Sequence, residues 1–230
     1  MNDTLQKLQQ ANPKLNIRSV ADPSFERYGR LLSQYDASEI IARAKSLVPA
    51  IERVAYEPSV AALEAPCAFN TAMMNEVYGG MPMQVGWCYG KNVRMAGLEY
   101  HKGSEVNVCL TDAVFLVGHV QDIVFGDKIT YDTTKVAAFY APAGSVVELS
   151  PWNMHFAPIS ASEGEQFAVL VYLPKHTNER ITFEFPRVGE NRLLFAINKW
   201  LIVHPDIKPM VEHGAYPGMV GDDIVVQYAK

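Results

Sequence analysis

The chain changes its hydrophobic patterning near residue 83. Before that point apolar residues recur at three- and four-residue intervals in runs broken by Pro13, Pro23, Pro58 and Pro66, so only short helices fit. The clearest run spans 40–47, with Asp36 placed as its N-cap, Glu39 closing a capping box, and Pro49 ending it. After residue 83, strand-length segments follow at 83–89, 98–101, 106–110, 113–117, 136–140, 145–149, 167–173 and 180–185, separated by Gly, Pro and Asp turns. Short strands so closely spaced favour a sandwich or closed barrel over β–α–β units. Leu193, Leu194, Ile197, Trp200 and Leu201 then recur at helical spacing, predicting a helix over 190–203 with Asn198 and Lys199 on its exposed side. A last strand is expected at 224–228. The expected organisation is one mainly β domain over 1–230: a helical and extended wrap at 1–82, a barrel core at 83–185, and a late helix with a closing strand at 186–230.

Within this pattern Leu98-Glu99-Tyr100-His101-Lys102-Gly103-Ser104-Glu105 is dense in ionisable side chains. Alternate residues of a strand share a face, so Glu99 and His101 point the same way, and a turn at Gly103 returns Glu105 beside them. Two carboxylates and an imidazole in one cavity repel and desolvate one another, and a divalent cation removes that cost. The segment 141–156 reads as a tight turn, a strand, a corner at Pro151 and then His155, which a barrel would carry across the lumen to the first cluster. Glu99, His101, Glu105 and His155 are therefore the expected ligands of one divalent ion, with Zn, Mn, Fe, Ni and Co all suited to such a set. Trp87 and Asn107 are assigned a parity that faces the lumen, and Trp152 lies three residues before His155; aromatic faces with a few hydrogen-bonding groups are typical of polar-metabolite pockets. His119, after the buried run, is a further candidate for the pocket, as an extra ligand or acid–base group. His204 falls just past the expected helix, where its C-terminus favours a cation, and His176 and His213 lie in turn-rich segments.

Charge narrows the function classes. The formal net charge is −5 with no basic cluster, which speaks against nucleic acid and anionic membrane as partners. No apolar stretch approaches the ~20 residues of a membrane span, and the N-terminus lacks a signal-peptide profile. Cys67, Cys88 and Cys109 are odd in number and form no C-x-x-C pair, so reduced thiols in a cytoplasmic protein are expected. Serine-hydrolase, P-loop and dinucleotide motifs are missing from the sequence.

The two stretches resemble the paired motifs of the cupin superfamily. By that resemblance Glu99 stands at the usual first His, His101 at the second ligand, Glu105 at the Glu, and His155 at the last. The Glu at position 99 and the long spacing from Gly144 to His155 depart from the common pattern and leave the metal's identity open. Gly144, Val147, Leu149, Pro151, His155 and Phe156 look like the second motif of lyxose-isomerase-type sugar isomerases. The segment 25–32 and the layout of His101, Ser104 and Glu105 look like ureidoglycolate lyase. The pattern over 86–88, 98–108 and 198–205 is most similar to a bacterial cupin-like family defined as a domain of unknown function. The resemblance implies a cupin-like β-barrel (a double-stranded β-helix or jelly roll) with N-terminal helices and one late helix, pairing as a homodimer. It further implies a metal-dependent enzyme acting on a small sugar or hydroxy acid, with Glu105 or Glu99 moving a proton between neighbouring carbons. Isomerisation or epimerisation through an enediolate leads; a ureidoglycolate-type lyase and a non-catalytic sugar-sensing module are the alternatives.

Overall fold

The computed structural model describes residues 3–230. Its first strands are β1 (Arg18–Ser19), β2 (Gly29–Leu31), β3 (Ala55–Glu57), β4 (Met83–Gly90), β5 (Gly97–Tyr100) and β6 (Glu105–Cys109). They continue with β7 (Ala113–His119), β8 (Tyr131–Asp132), β9 (Ala137–Ala141), β10 (Val146–Leu149), β11 (Asn153–Met154) and β12 (Ile159–Ser160). The series closes with β13 (Phe167–Pro174), β14 (Leu194–Ala196), β15 (Lys199–Val203) and β16 (Met219–Val220). Helices α1 (Asp3–Ala11), α2 (Ser38–Lys45), α3 (Ala61–Glu64) and α4 (Ala68–Ala72) precede β4, and α5 (Lys208–Glu212) follows β15.

One sheet runs β2-β10-β6-β13-β4-β3, every neighbour antiparallel. In the other, β9 lies between β1 and β7, and β11 and β12 pair with β7. A bridge between Glu99 and His155 joins that sheet to β5, on which β15 and β14 follow. The result is a mainly β enclosure of two facing layers.

Alternation sorts most of the buried side chains into three large cores, beside a small fourth one around Leu201, Val203 and Ala215. From the first sheet Val106, Val108, Trp87, Leu170 and Tyr172 point outward and pack against Ile40, Leu63, Phe69 and Met73 of the helical wrap. Val147, Val169, Val171, Phe115 and Phe139 meet between the sheets. On the far side of the second sheet Leu98, Tyr100, Leu116 and Ile202 pack against Leu5 and Leu8 of α1 and against Ile224 and Val226. Burying each such side chain favours the folded state by about 1.5–3 kcal/mol, and because both faces of the long strands are buried, a shift of register by one residue would send every side chain of a strand into the wrong core.

The structure departs from the sequence reading in four segments. Residues 190–203 form no long helix: a 3-10 turn at Gly189–Leu193 leads into β14, and β15 returns antiparallel to it. Trp200 and Ile202 enter one core and Leu201 and Val203 another, a period of two that the apolar spacing had disguised. Residues 180–185 make no strand, and Phe183 stays exposed. Residues 224–228 contribute only a bridge from Val225 to Arg94 while Ile224 and Val226 are buried. At α2 the N-cap is Ala37, which has no side chain to cap with, and not Asp36, which lies one residue earlier and accepts the Ser38 N–H at 2.9 Å; Glu39 pairs with Arg43 at 3.1 Å instead of closing a box. Among the described residues no helix is long and apolar enough to cross a membrane.

Candidate metal centre

The cluster forms where the two halves of the second sheet meet. Leu98 and Tyr100 turn outward, so Glu99, between them, turns inward, and His101 follows on the same side just past β5. In β6 the outward Val106 and Val108 leave Glu105 and Asn107 inward. His155 arrives opposite Glu99 through paired backbone bonds, Glu99 N–H to His155 O at 2.6 Å and His155 N–H to Glu99 O at 2.9 Å.

The four side chains are buried and close. His155 Nε2 stands 3.2 Å from Glu105 Oε2, and His101 Nε2 stands 3.5 Å from that oxygen and 3.7 Å from Glu99 Oε1. Ligand atoms of Glu99, His101 and His155 all lie within 4.8 Å of one another. Ligands about 2.1 Å from a shared ion stand roughly 3.4 Å apart at a tetrahedral centre, which fits the spacings from Glu105 to the two imidazoles and from Glu99 to His101.

Each imidazole is also held in the tautomer a ligand needs. His101 Nδ1 sits 2.7 Å from the Asn198 backbone oxygen, an acceptor only, so that nitrogen carries the proton and the Nε2 lone pair faces the cluster. His155 Nδ1 sits 3.2 Å from Asn153 Oδ1, and Asn153 Nδ2 donates to Tyr28 O at 3.1 Å, which fixes the amide's orientation. Both Nε2 atoms are buried with no hydrogen-bond partner. A buried lone pair without a partner is costly, and a cation at this spot would satisfy both. The donor set therefore fits a divalent metal ion.

Electrostatics agree. Burial pushes the Glu105 carboxyl up, but His155 and His101 outweigh it and hold the group well below the usual carboxylate range. Burial pushes His155 down, and Glu105, with help from Glu99, outweighs it so that the imidazole is raised. Asn107 Nδ2 donates to the other Glu105 oxygen at 2.9 Å. Glu99 Oε2 turns away from the imidazoles to an ion pair with Lys199.

The cluster opens into a cavity of about 130 Å³ walled by Phe115, Phe156, Ala157, Pro158 and Val171. Asn107 lines it; the other residues expected near the substrate do not. Trp87 pairs with Leu170 in register and points to the helical wrap, donating to Glu57 Oε1 at 2.9 Å, and its neighbour Cys88 takes the inward position. Trp152 is 60% exposed, in a separate groove with Tyr100 and Lys102. His119 accepts the Gln121 N–H at 3.2 Å in a turn at the end of β7, where burial and Arg27 lower its pKa.

Three ionisable lining residues escaped the sequence reading: Tyr56, Cys88 and Lys199. Lys199 carried a legible signal. Asn198 has φ 55°, a left-handed conformation that Asn tolerates, and it turns the chain between β14 and β15. An Asn before Lys-Trp-Leu-Ile-Val reads as a hairpin turn, and strand parity then sends Lys199 to the side opposite Trp200.

A family model described as Domain of unknown function (DUF4867) matches residues 17–224. No curated protein matches the sequence. Among solved structures, oxalate decarboxylase from Bacillus subtilis, described with Mn(II) centres, is similar at 12% identity and a TM-score of 0.31. That match covers 56% of this chain and 27% of that one, so the chain spans little more than a quarter of that protein's length. A cupin-like protein from Thermotoga maritima is similar at 15% identity and a TM-score of 0.32, covering 61% of this chain and 82% of that chain.

Proposed function

The chain belongs to the family described as Domain of unknown function (DUF4867), and from the chemistry of its pocket we propose a metal-dependent enzyme that moves a proton beside a carbonyl or carboxyl group of a small sugar or hydroxy acid. The observation that carries the reading is the convergence of two buried imidazole lone pairs and two carboxylates at metal-ligand spacing. His101, His155, Glu105 and the near oxygen of Glu99 would hold the ion. When bound, it supplies Lewis-acid stabilisation of the enediolate charge that develops on the substrate oxygens.

The remaining work falls to the chain's own groups. Glu105 has one oxygen between the two imidazoles and the other held by the Asn107 amide, a placement that suits a ligand. Glu99 has its second oxygen turned to Lys199, outside the cluster, and is the carboxylate positioned to take a proton from carbon and return it to the same or the neighbouring carbon. Apolar walls exclude water from the intermediate, and a cavity of about 130 Å³ restricts the substrate to a small metabolite. The likeness of the second motif to sugar isomerases supports isomerisation or epimerisation over elimination.

A panel of aldoses, ketoses and hydroxy acids in deuterated solvent tests this by proton NMR. The expected result is deuterium incorporation at the carbon beside the carbonyl or carboxyl group, abolished by chelator and restored by Mn, Zn or Co. Elimination products that survive chelation would replace this reading with the lyase. Thermal stabilisation by a sugar without exchange or product would replace it with the sensor.

A further inference from the structure

We propose that the pocket selects a singly charged hydroxy acid over a neutral sugar, with Lys199 as the residue that reads the charge; the inference rests on the metal-dependent reading above. Lys199 is the only lysine or arginine among the residues lining the cavity. Its side chain is 14% exposed, and its ion-pair partner is Glu99. The turn at Asn198 and the pairing of β15 with β5 hold it there, so its charge is built into the wall.

Every other ionisable group of the pocket can be assigned a charge. Glu99 and Glu105 are the only carboxylates that line it. An imidazole whose Nε2 holds an ion carries a proton only on Nδ1, and each Nδ1 here faces an oxygen, Asn198 O for His101 and Asn153 Oδ1 for His155, so with the ion bound neither ring adds a charge. Tyr56 and Cys88 keep their protons because burial raises both groups. Two carboxylates thus oppose one ammonium and one divalent ion, which leaves a single positive charge in excess. The walls, Phe115, Phe156, Ala157, Pro158 and Val171, hold nothing to neutralise it. An uncompensated charge in such surroundings is costly. A ligand bearing one negative charge removes that cost and a neutral sugar leaves it in place. For a hydroxy acid the proton in play is the one on the carbon beside the carboxylate, and its return to the other face of that carbon gives the epimer.

The test is calorimetric titration of D-glycerate, and separately of glycerol, into protein whose bound Mn or Zn has first been quantified. Glycerate is expected to bind at least ten-fold more tightly than glycerol. Lys199→Met should lose at least ten-fold in glycerate affinity with metal content and glycerol binding unchanged, and Lys199→Arg should keep most of it. Equal affinity of the two ligands in the unsubstituted protein, no binding of glycerate, or a metal-loaded Lys199→Met that binds glycerate as before would each overturn the inference while leaving the metal site standing. Protein that takes up no metal loses both readings, and the metal assay reveals that before any ligand is added.

Discussion

Each imidazole of the cluster is aimed by one oxygen behind it, and the two oxygens differ in kind. His101 relies on a backbone carbonyl that no substitution removes, whereas His155 relies on the Asn153 side chain, itself anchored to Tyr28 O. Asn153→Leu frees the His155 ring to rotate and change tautomer, and metal affinity should fall about 10–100-fold with the fold retained. Competition against a chromophoric chelator measures this, and unchanged affinity would show that Asn153 has no part in the centre. The same residues set the response to pH. His155 is raised above its ordinary 6.5, so in metal-free protein its contribution to stability is full below that value and is lost as pH rises through the folded pKa. Glu105 is held below its ordinary 4.5, so its contribution is present above that value and is lost only as strong acid protonates it in the fold. Metal must displace the His155 proton, so binding strengthens as pH rises. Melting curves with and without Mn from pH 6 to 8.5 should therefore diverge as pH increases; a constant gap would contradict the assignment of His155 as a ligand.

At the scale of elements, the hairpin of β14 and β15 supplies two groups to the centre, the Asn198 carbonyl and Lys199. Asn198→Ala and Asn198→Gly both remove the side-chain bonds to Lys102 N and Thr177 Oγ1, but only for alanine is the left-handed conformation of this turn sterically costly. The alanine variant should be less stable than the glycine variant by about 1–2 kcal/mol, read from urea midpoints at equal slope. Equal midpoints would mean that the turn relaxes without cost. This hairpin also shows where the sequence stops being informative. The longer strands from 83 to 173 are legible because their apolar runs match burial on both faces, whereas the two-residue strands β8, β11 and β12 are too short to carry a pattern; Glu99, His101, Glu105 and His155 are legible because parity and one turn suffice to align them. Leu193, Leu194, Ile197, Trp200 and Leu201 satisfy a helical period by coincidence, and reading them so hid Lys199 on a solvent face. Trp87 was sent inward because parity within a strand says nothing of register between strands. Trp87 pairs with Leu170, and Asn107 pairs with Val171, one residue out of phase. Tyr56 reaches the pocket from β3, an edge strand too short to carry a pattern.

Across the whole molecule, the second sheet is joined in its middle by a single bridge, and that bridge is made by two members of the cluster, Glu99 and His155. An ion held by their side chains would tie the β7 side of the sheet to the β5 side at the point where the backbone alone links them least. Binding and folding are thereby connected, because a ligand that binds only the folded chain stabilises it by about 2.7 kcal/mol at a hundred times its dissociation constant. The central claim is that these two sides of the sheet converge on one cation. Elemental analysis of the purified full chain beside a His101→Ala, His155→Ala double variant of verified fold tests it most directly. About one equivalent of a divalent transition metal in the unsubstituted chain and almost none in the variant is the predicted result, whereas equal metal content in the two, or none in either after incubation with Mn, Zn or Co, would contradict it.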